Sequence, residues 1–218
     1  SNRPAARYQS VSLRVARMSD RFQGRTAIVT GGCSGIGAGI ARRLKAEGAK
    51  VSLWDMDKVA LEKAGADHIA ALDIVDPDAV HKAAADAAAT LGKIDILVAS
   101  AGITGPNHTT WEYPVAAWDR VIDVNLKGVF YSDRAVVPFM RQNGYGRIVN
   151  FASSMGITGG REFAAYNASK FGMNGMSEAI MLDAAICALR ILSPLIDPLV
   201  STTSARSRKA AGKRLKSA

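Results

Sequence analysis

The chain has 218 residues, of which 48% are hydrophobic, so it can bury a sizeable core as a single globular domain. Its formal charge of +9 would suit a protein that binds polyanions, but ten of its 28 basic residues lie in two acid-free ends, 1–17 and 205–218. The 18 basic and 19 acidic residues between these ends nearly cancel, which argues against nucleic acid as a partner. We predict a basic N-terminal extension over 1–21, one domain over 22–204 and a basic tail over 205–218, with both ends solvated.

Cysteine and histidine content predicts neither disulfides nor a metal site. Cys33 and Cys187 are too few for a disulfide framework, and the three histidines have no metal-ligand spacing with them. No apolar run is long enough to cross a bilayer, so we expect a soluble protein of the reducing cytoplasm, without a membrane partner. Met18 resembles a natural start, and the stretch before it is either an upstream extension or an organelle transit peptide.

Short β-branched runs alternate with helical patterns along the chain. Their apolarity is continuous instead of alternating, which predicts strands buried on both faces. The runs lie at 26–30, 50–54, 68–72, 94–99 and 147–151. Strands that alternate with helices in this way predict an α/β fold with a doubly wound parallel sheet, a Rossmann-type arrangement of three α/β/α layers in a single domain.

Two crossover helices have clear sequence signals. In "IGAGIARRLKAEG" the residues Ile36, Ile40 and Leu44 are four apart and share one helical face. In "VDPDAVHKAAADAAATLGK" we expect Asp76 to cap the helix and Gly92 to end it. Each helix therefore connects two neighbouring strands of the predicted sheet.

The glycine-rich run "TGGCSGIG" at 30–37 joins the first strand to the first helix. Its backbone N–H groups and the positive helix end suit a phosphate, and Gly31, Gly35 and Gly37 let the backbone turn tightly or approach a ligand. Such turns also occur only to let a helix pack closely on its strand. Asp55 ends the second strand 20 residues past Gly35, where a carboxylate reaches the ribose hydroxyls of a dinucleotide. A solvated or helix-capping Asp is the alternative; the two features together predict nucleotide binding.

Charge near the predicted ribose site favours NAD over NADP as the cofactor. The Asp55 carboxylate would repel the 2′-phosphate of NADP, and Gly32, Cys33 and Ser34 carry no positive charge. Lys58 would soften this preference if it turned inward. Cys33 lies at a helix N-terminus, where a thiol pKa can fall and make the thiol redox-sensitive, but a small residue tolerated in the loop is the favoured interpretation.

The motif "YNASK" places Tyr166 and Lys170 four residues apart, hence on one face of a helix. An ammonium beside a phenol favours the phenolate, which suits proton exchange near neutral pH. Ser153 directly follows the fifth strand, at the edge where doubly wound sheets bind ligands, and its hydroxyl can donate to a substrate oxygen. On sequence alone, Ser154 is an equal candidate.

Together these residues resemble the classical short-chain dehydrogenase/reductase family over about residues 22–183. The resemblance rests on "TGGCSGIG", Asp55, "DI" at Asp73 and Ile74, "SAG" at Ser100 to Gly102, "VNL" around Asn125, Ser153 and "YNASK", in this order. It implies a cofactor-binding set of Gly31, Cys33, Ser34, Gly35, Ile36, Gly37, Asp55, Asp73, Ile74, Ser100, Ala101, Gly102, Tyr166 and Lys170, and no metal.

The resemblance also implies the chemistry. The family spacing of serine and tyrosine selects Ser153 over Ser154 to orient the substrate oxygen. Tyr166 would be the general acid/base, Lys170 would hold the nicotinamide ribose and lower the tyrosine pKa, and Asn125 would position a water in a proton relay. The expected function is NAD(H)-dependent hydride transfer to or from a small alcohol or ketone, of the sugar-alcohol or 3-oxoacyl type.

Two departures from the family pattern motivate an alternative function. Ala99 stands where the family has an asparagine after the fourth strand. After "ALRIL" at 188–192, a candidate sixth strand, we find neither the usual substrate-covering loop nor a last strand, and Leu199 replaces a turn glycine. The alternative is a non-catalytic dinucleotide-binding relic.

Assembly and the substrate pocket are the remaining expectations. The family pairs subunits through the two long helices, here about 115–142 and 163–186, so we expect a homo-oligomer, a dimer more than a tetramer. Trp111 and Trp118 could wall a substrate pocket, but packing is the favoured interpretation.

Overall fold

The computed structural model describes residues 20–183 and the backbone of 188–192. The basic ends, apart from residues 20 and 21, lie outside these residues, and so does the turn near Leu199. Predictions about the two charged ends and the missing covering loop therefore stay predictions.

Six parallel strands form one sheet in the order β3-β2-β1-β4-β5-β6. This is the strand order of a doubly wound dinucleotide-binding fold, with the topological switch between β1 and β4. The strands are Thr26–Thr30 (β1), Lys50–Asp55 (β2), His68–Ala71 (β3), Ile96–Ala99 (β4), Tyr145–Asn150 (β5) and Ala188–Leu192 (β6). The sheet confirms the predicted fold class, and β6 confirms the candidate sixth strand.

Six α-helices of the described residues connect and flank the strands. They are Gly35–Ala46 (α1), Lys58–Lys63 (α2), Pro77–Leu91 (α3), Val115–Ile122 (α4), Gly128–Gln142 (α5) and Ala164–Asp183 (α6). A π-helical turn, Asp123–Lys127, joins α4 to α5, and a short 3₁₀ helix, Ser154–Gly156, follows β5. The predicted caps of α3 are confirmed: the Asp76 side chain accepts hydrogen bonds from two backbone N–H groups, and Gly92 ends the helix at φ 87°.

The two largest apolar clusters of the described residues lie on opposite faces of the sheet. Ile28 and Leu97 point into one core and their neighbours Val29 and Val98 into the other, all at most 3% exposed. Full burial of such a side chain stabilises the fold by about 1.5–3 kcal/mol. Burial on both faces explains why the strand sequences are apolar without alternation.

One helix-face prediction is wrong in part. Leu44 packs in the core beneath α1, and Ile40 lies partly buried against it, but Ile36 is 64% exposed. Ile36 belongs to the first turn of α1, at the carboxyl edge of the sheet, and it lines the cavity described below. The helical spacing correctly predicted that the three residues share one face of α1, but only Ile40 and Leu44 of that face pack against the core.

Ion pairs close the amino edge of the sheet. Asp95, 1% exposed, contacts Lys93 at 2.9 Å and Arg25 at 3.4 Å and accepts a hydrogen bond from Thr26 N. β4 begins directly after Asp95, at Ile96, two residues later than the predicted start of the run.

A second carboxylate at the same edge fixes the end of α1. Glu47 bonds to Arg21 at 2.5 Å and also contacts Arg43. Hydrogen bonding to the Arg21 guanidinium, opposed by burial and helped by Arg43, lowers the pKa of Glu47 to about 2. The segment that leads into β1 is thereby tied to the crossover helix.

Candidate active site

A cavity of about 510 Å³ opens at the carboxyl edge of the sheet, between the β1 and β4 halves. Doubly wound folds bind their ligands in this position, and the volume is typical of a small-molecule site. The predicted residues that line it are Gly31, Ser34, Gly35, Ile36, Asp55, Asp73, Ile74, Ser100, Ala101, Gly102, Tyr166 and Lys170. The structure thus brings most of the predicted set together.

The glycines of the loop at 30–37 have different roles. A Cβ on Gly37 would lie 2.3 Å from the Gly31 carbonyl oxygen, so Gly37 permits close packing of α1 on the loop and does not line the cavity. Gly35 has φ +50°, and a Cβ there would meet no protein atom within 4 Å. The alternative explanation of the loop, helix packing, therefore holds for Gly37, whereas Gly35 leaves room for a ligand to approach the backbone.

The Asp55 carboxylate is held by backbone donors. Its Oδ2 accepts a hydrogen bond from Cys33 N at 3.1 Å and its Oδ1 accepts one from Asp57 N at 3.2 Å. Each oxygen keeps a further lone pair, and the side chain lines the cavity. Asp55 is therefore preorganised to accept hydroxyl donors, as binding of a ribose requires.

Cys33 does not line this cavity. It lies in a separate groove beside α1 and α2, and its backbone N–H donates to Asp55. Burial, followed by the charge and hydrogen bond of Asp55, raises the pKa of the thiol to about 11. The possibility of a lowered thiol pKa is therefore contradicted, and the favoured interpretation of Cys33 as a small loop residue agrees with the structure.

Thr30, which the sequence analysis did not single out, joins the two halves of the site. Its Oγ1 accepts hydrogen bonds from Ser100 N and Ala101 N, both at 3.1 Å. Ala99, the departure from the family pattern, is a buried apolar residue at the end of β4. The loop after β4 is thus fastened to β1 through a hydroxyl at Thr30 and backbone groups.

Asp73 and Ile74 follow β3 and line the cavity next to Asp55. Arg120 of α4 approaches Asp73 at 3.1 Å, and Asp73 also accepts a hydrogen bond from Val75 N. Arg120 lines the cavity as well, although no sequence signal marked it, because its importance depends on contact with a residue 47 positions away.

Tyr166 and Lys170 share one face of α6 and line the cavity together. The Lys170 ammonium lies 5.5 Å from the centre of the Tyr166 ring and donates a hydrogen bond to the Phe151 carbonyl at 2.5 Å. Lys170 is only 5% exposed, and burial lowers its pKa to about 8. The predicted i, i+4 pair is thus confirmed as a pair of neighbours at the cavity wall.

Ser153 and Ser154 have different environments. Ser153 is partly buried and caps the 3₁₀ helix, where its Oγ accepts a hydrogen bond from Met155 N at 3.2 Å. Its hydroxyl hydrogen stays available as a donor. Ser154 is exposed. Neither serine lines the cavity itself, but the two residues before Ser153, Phe151 and Ala152, do.

Asn125 lies behind the cavity, fully buried in the π-helical turn. Its side chain exchanges two hydrogen bonds with the backbone of Ile103, at 2.7 and 2.8 Å, and donates to Ser169 Oγ at 3.2 Å. The Asn125 side chain therefore joins the loop after β4 to α6, and its polar groups are already used.

Two loops border Tyr166 on the side away from Asp55. His108 N donates to the Glu162 carbonyl, so the loop after β4 is joined to the loop before α6, and Phe163 packs edge-on against Tyr166. Trp118 packs against Tyr113, as predicted, whereas Trp111 is 83% exposed, so the packing prediction is wrong for Trp111.

The remaining cavity residues escaped the sequence analysis. They are Thr30, Trp54, Met56, Leu72, Ile103, Thr104, Arg120, Val124, Phe151 and Ala152. Several directly follow or precede a residue that was predicted, so position at a strand end was the signal available for them. Within the described ranges, no group of acidic, histidine or cysteine side chains could hold a metal ion, and no helix is long and apolar enough to cross a membrane.

Fold and site define the class of this protein: a doubly wound α/β protein whose cavity suits a dinucleotide and carries a tyrosine–lysine pair. A family model described as short chain dehydrogenase matches residues 25–211. The chain belongs to the short-chain dehydrogenase family.

Characterised relatives cover most of the chain. It is 48% identical over 191 residues to a 2-dehydro-3-deoxy-L-rhamnonate dehydrogenase (NAD(+)) of Sphingomonas sp. (strain SKA58), which covers 82% of this chain and 77% of the relative. It is 38% identical over 182 residues to a 3-alpha-(or 20-beta)-hydroxysteroid dehydrogenase of Mycobacterium bovis, covering 81% of this chain and 69% of the relative.

Solved structures agree with the fold. An NAD⁺-bound xylitol dehydrogenase superposes with a TM-score of 0.77 at 34% identity, over 79% of this chain and 70% of the other. A 3-ketoacyl-(acyl-carrier-protein) reductase from Brucella melitensis, complexed with NADH, has a TM-score of 0.75 at 31% identity, over 79% and 75% of the two chains.

Proposed function

We propose that this protein interconverts a secondary alcohol and a ketone on a small polyhydroxylated substrate, a sugar acid, with NAD as the cofactor. The chain is an NAD-dependent short-chain dehydrogenase, and the observation that supports its chemistry is that Tyr166 and Lys170 line the same cavity as Gly35 and Asp55. The sugar-acid substrate is supported by the 48% identity to a dehydrogenase of a deoxy sugar acid, ten percentage points above the hydroxysteroid relative.

The residues of the cavity fit NAD. The open space at Gly35 suits the pyrophosphate, and the two backbone-held oxygens of Asp55 suit the adenosine ribose hydroxyls. Lys170 and Tyr166 would lie near the nicotinamide end, since they line the far wall of the cavity. When bound, NAD⁺ accepts the hydride that the alcohol carbon loses and NADH returns it in the reverse reaction.

Proton movement falls to the protein's own side chains. Tyr166 takes the proton of the substrate hydroxyl during oxidation and returns it to the ketone oxygen during reduction. The Lys170 cation lies 5.5 Å from the centre of the ring, where it attracts the negative charge that develops on the phenol during proton transfer. Ser153 donates its hydroxyl hydrogen to the same substrate oxygen. Its Oγ accepts a hydrogen bond from Met155 N, and this leaves the hydroxyl hydrogen available as a donor.

Asn125 has a positioning role in this proposal. Both of its amide hydrogens are used by Ile103 and Ser169, so a proton-donating site for a relay water is absent there, and we place the water at a backbone carbonyl of the π-helical turn. The interrupted helical bonding of such turns leaves backbone groups available near functional sites.

We also propose a homodimer of the cytoplasm. Phe130 on α5 is 45% exposed and Phe171 on α6 is 46% exposed, which places one half-exposed aromatic side chain on each long helix. A second copy would cover both. Light scattering of the full chain should give a dimer; a stable tetramer would contradict the proposed assembly.

A cofactor-dependent turnover assay tests the proposal. The purified full chain is given NAD⁺ or NADH with a deoxy sugar acid pair, xylitol, a 3-oxoacyl thioester and a hydroxysteroid. We expect the highest kcat/KM on the sugar acid. Binding of NADH without turnover of any substrate would support the non-catalytic relic, for which none of the comparisons gives support.

A further inference from the structure

Three polar side chains meet in the apolar interior behind β5. Asp133 of α5 is 1% exposed, while Asn150 at the end of β5 and Ser177 of α6 are fully buried. The Asn150 amide nitrogen donates to Asp133 Oδ2 at 3.0 Å and to Ser177 Oγ at 3.1 Å. Both amide hydrogens of Asn150 are therefore used, one on each neighbour.

Two oxygen atoms of this cluster have no partner. They are Asp133 Oδ1 and Asn150 Oδ1, both buried and without a hydrogen bond. An unsatisfied buried oxygen costs about 1–3 kcal/mol, and more when it carries charge. Asp133 and Asn150 already share one hydrogen bond, so a single hydrogen placed between these two oxygens would satisfy both of them.

No charged group is available to balance an ionised Asp133 within the part of the chain that the structure describes. The groups that face it are neutral, Asn150 from β5 and Ser177 from α6, and α3 packs on α5 through small apolar residues such as Ala83 and Ala84. The ionisable residues of these elements point elsewhere. Arg134 and Arg141 of α5, Glu178 of α6, and Lys82 and Asp86 of α3 are exposed, and the Lys170 ammonium bonds to Phe151.

We propose that Asp133 is a neutral carboxylic acid that forms a two-hydrogen-bond ring with the Asn150 amide and so positions the end of β5 for catalysis. A proton on Asp133 Oδ1 donates to Asn150 Oδ1 while Asn150 Nδ2 donates to Asp133 Oδ2. A carboxylic acid and a primary amide are planar and complementary in this way, and one proton satisfies both unpartnered oxygens. Burial, opposed by the Asn150 hydrogen bond, raises the pKa of Asp133 to about 7, in the direction that this pairing requires.

The ring lies directly before the catalytic segment. Ala152 N donates a hydrogen bond to the Asn150 carbonyl. The Phe151 carbonyl accepts a hydrogen bond from the Lys170 ammonium, and Ser153 comes two residues later in the chain. Asp133 touches none of the reacting atoms, so it is a positioning residue that acts through Asn150. The positioning role of Asp133 rests on the roles proposed for Ser153 and Lys170. The protonation of Asp133 does not depend on them.

Infrared difference spectroscopy tests the protonation on its own. The spectrum of the full chain minus that of Asp133→Asn should contain the C=O stretch of a carboxylic acid at pH 6, and this band should give way to a carboxylate band as pH rises through 7. A carboxylate band in place of the acid band at pH 6 would overturn the proposal, since a water or cation would then have to bridge the two oxygens. This readout needs no substrate and no activity.

Two matched variants test the positioning. Asp133→Asn keeps the ring, because an amide also donates to Asn150 Oδ1 and accepts at its own oxygen, but it cannot ionise. Asp133→Leu keeps the approximate size and removes the ring, so kcat should fall about ten- to hundredfold with KM for NADH unchanged. Retention of full kcat by a folded Asp133→Leu protein would overturn the positioning role.

The pH dependence separates positioning from simple stability. The protonated fraction of Asp133 falls from about nine-tenths at pH 6 to about one-tenth at pH 8 for a pKa near 7. The kcat ratio of the unmutated protein to Asp133→Asn should therefore decline over this interval, because other titrating groups cancel in the ratio. A constant ratio would contradict the role of Asp133, and a chain inactive at all pH values would instead contradict the proposed function.

Discussion

The two edges of the sheet use aspartate in opposite ways. At the amino edge, Asp95 meets the cations Lys93 and Arg25 and a backbone N–H, and the edge is closed. At the carboxyl edge, Asp55 accepts hydrogen bonds from two backbone N–H groups, keeps lone pairs for a ligand and borders a cavity. The comparison teaches that the type of partner decides what an aspartate does. A carboxylate saturated by cations stabilises the fold, whereas one oriented by backbone groups remains able to bind.

This division predicts that substitutions at the two edges have separable effects. Changes at the carboxyl edge should alter turnover or cofactor choice with little loss of stability. Changes at the amino edge should alter stability with little effect on turnover per folded molecule.

The largest expected effect is on turnover, from Tyr166→Phe. The ring stays and the hydroxyl goes, so NADH affinity and Tm should be kept while kcat falls about 10²- to 10⁴-fold, the usual contribution of acid–base catalysis. Tyr145→Phe is the matched control, because Tyr145 begins β5 at the opposite edge, stacked under Arg25 at 3.9 Å. Near-normal turnover by Tyr166→Phe on a good substrate would contradict the assignment.

The next effect is on stability, from Asp95→Ala. Its loss leaves Thr26 N without its side-chain acceptor and brings Lys93 and Arg25 together without a counter-charge. Because Asp95 is buried and makes charge-assisted hydrogen bonds, we expect the free energy of unfolding to fall by about 2–3 kcal/mol in urea denaturation. Asp86→Ala, which breaks the exposed pair with Lys82, should change it by less than about 0.5 kcal/mol. If both variants lost the same free energy of unfolding, the proposed difference between buried and exposed ion pairs would be wrong.

A smaller effect concerns cofactor choice. Asp55→Ala removes the acceptor for ribose hydroxyls and the charge that repels a 2′-phosphate. We expect the preference of NADH over NADPH in a binding titration to narrow by about fivefold or more, by weaker NADH binding and stronger NADPH binding together. Tighter binding of NADPH than NADH by the unmutated protein would show that this interpretation of Asp55 is wrong.

The smallest effect is a difference in pH response between the edges. The pKa of Glu47, lowered to about 2, means that its contribution to stability is complete above about 4.5, its value when unpaired, and is lost as pH falls through 2. The pKa of Lys170, lowered to about 8, gives a slope of the same sign in a different pH window: the unfolded chain binds more protons, so stability rises with pH between about 8 and 10.5. Thermal melts should show Glu47→Gln flattening only the acid limb and Lys170→Met only the alkaline limb; a change of both limbs by either variant would contradict the assignment.

Much of the fold was predictable because its signals are local. The strands are buried on both faces and read as continuous apolar runs, and the Asp76 and Gly92 caps act within one helical turn. The glycine loop, Asp55 and the Tyr166–Lys170 pair were predictable for the same reason, since each is a pattern of near neighbours at a strand end or along one helix.

The rest depends on contacts between distant residues. Thr30 acts on backbone groups 70 positions away, and Arg120 acts on Asp73, so neither has a signature in its own neighbourhood. The exposure of Ile36 arises because the first turn of α1 extends past the core. From the sequence, Asp133 would be taken for a polar residue on the solvent face of an amphipathic helix. Its inward orientation is known only from its contact with the buried Asn150, 17 positions away.

The π-helical turn has a consequence for how the chain tolerates deletions. An α-helix advances about 100° per residue, and the turn at Asp123–Lys127 adds one residue between the faces of α4 and α5. Loss of one residue from this turn would restore α-helical bonding, and the residues after it, Asp133 among them, would keep their faces. In a deletion scan, loss of the exposed Lys127 should therefore disturb the packing of α5 far less than loss of one residue from within α4 or α5.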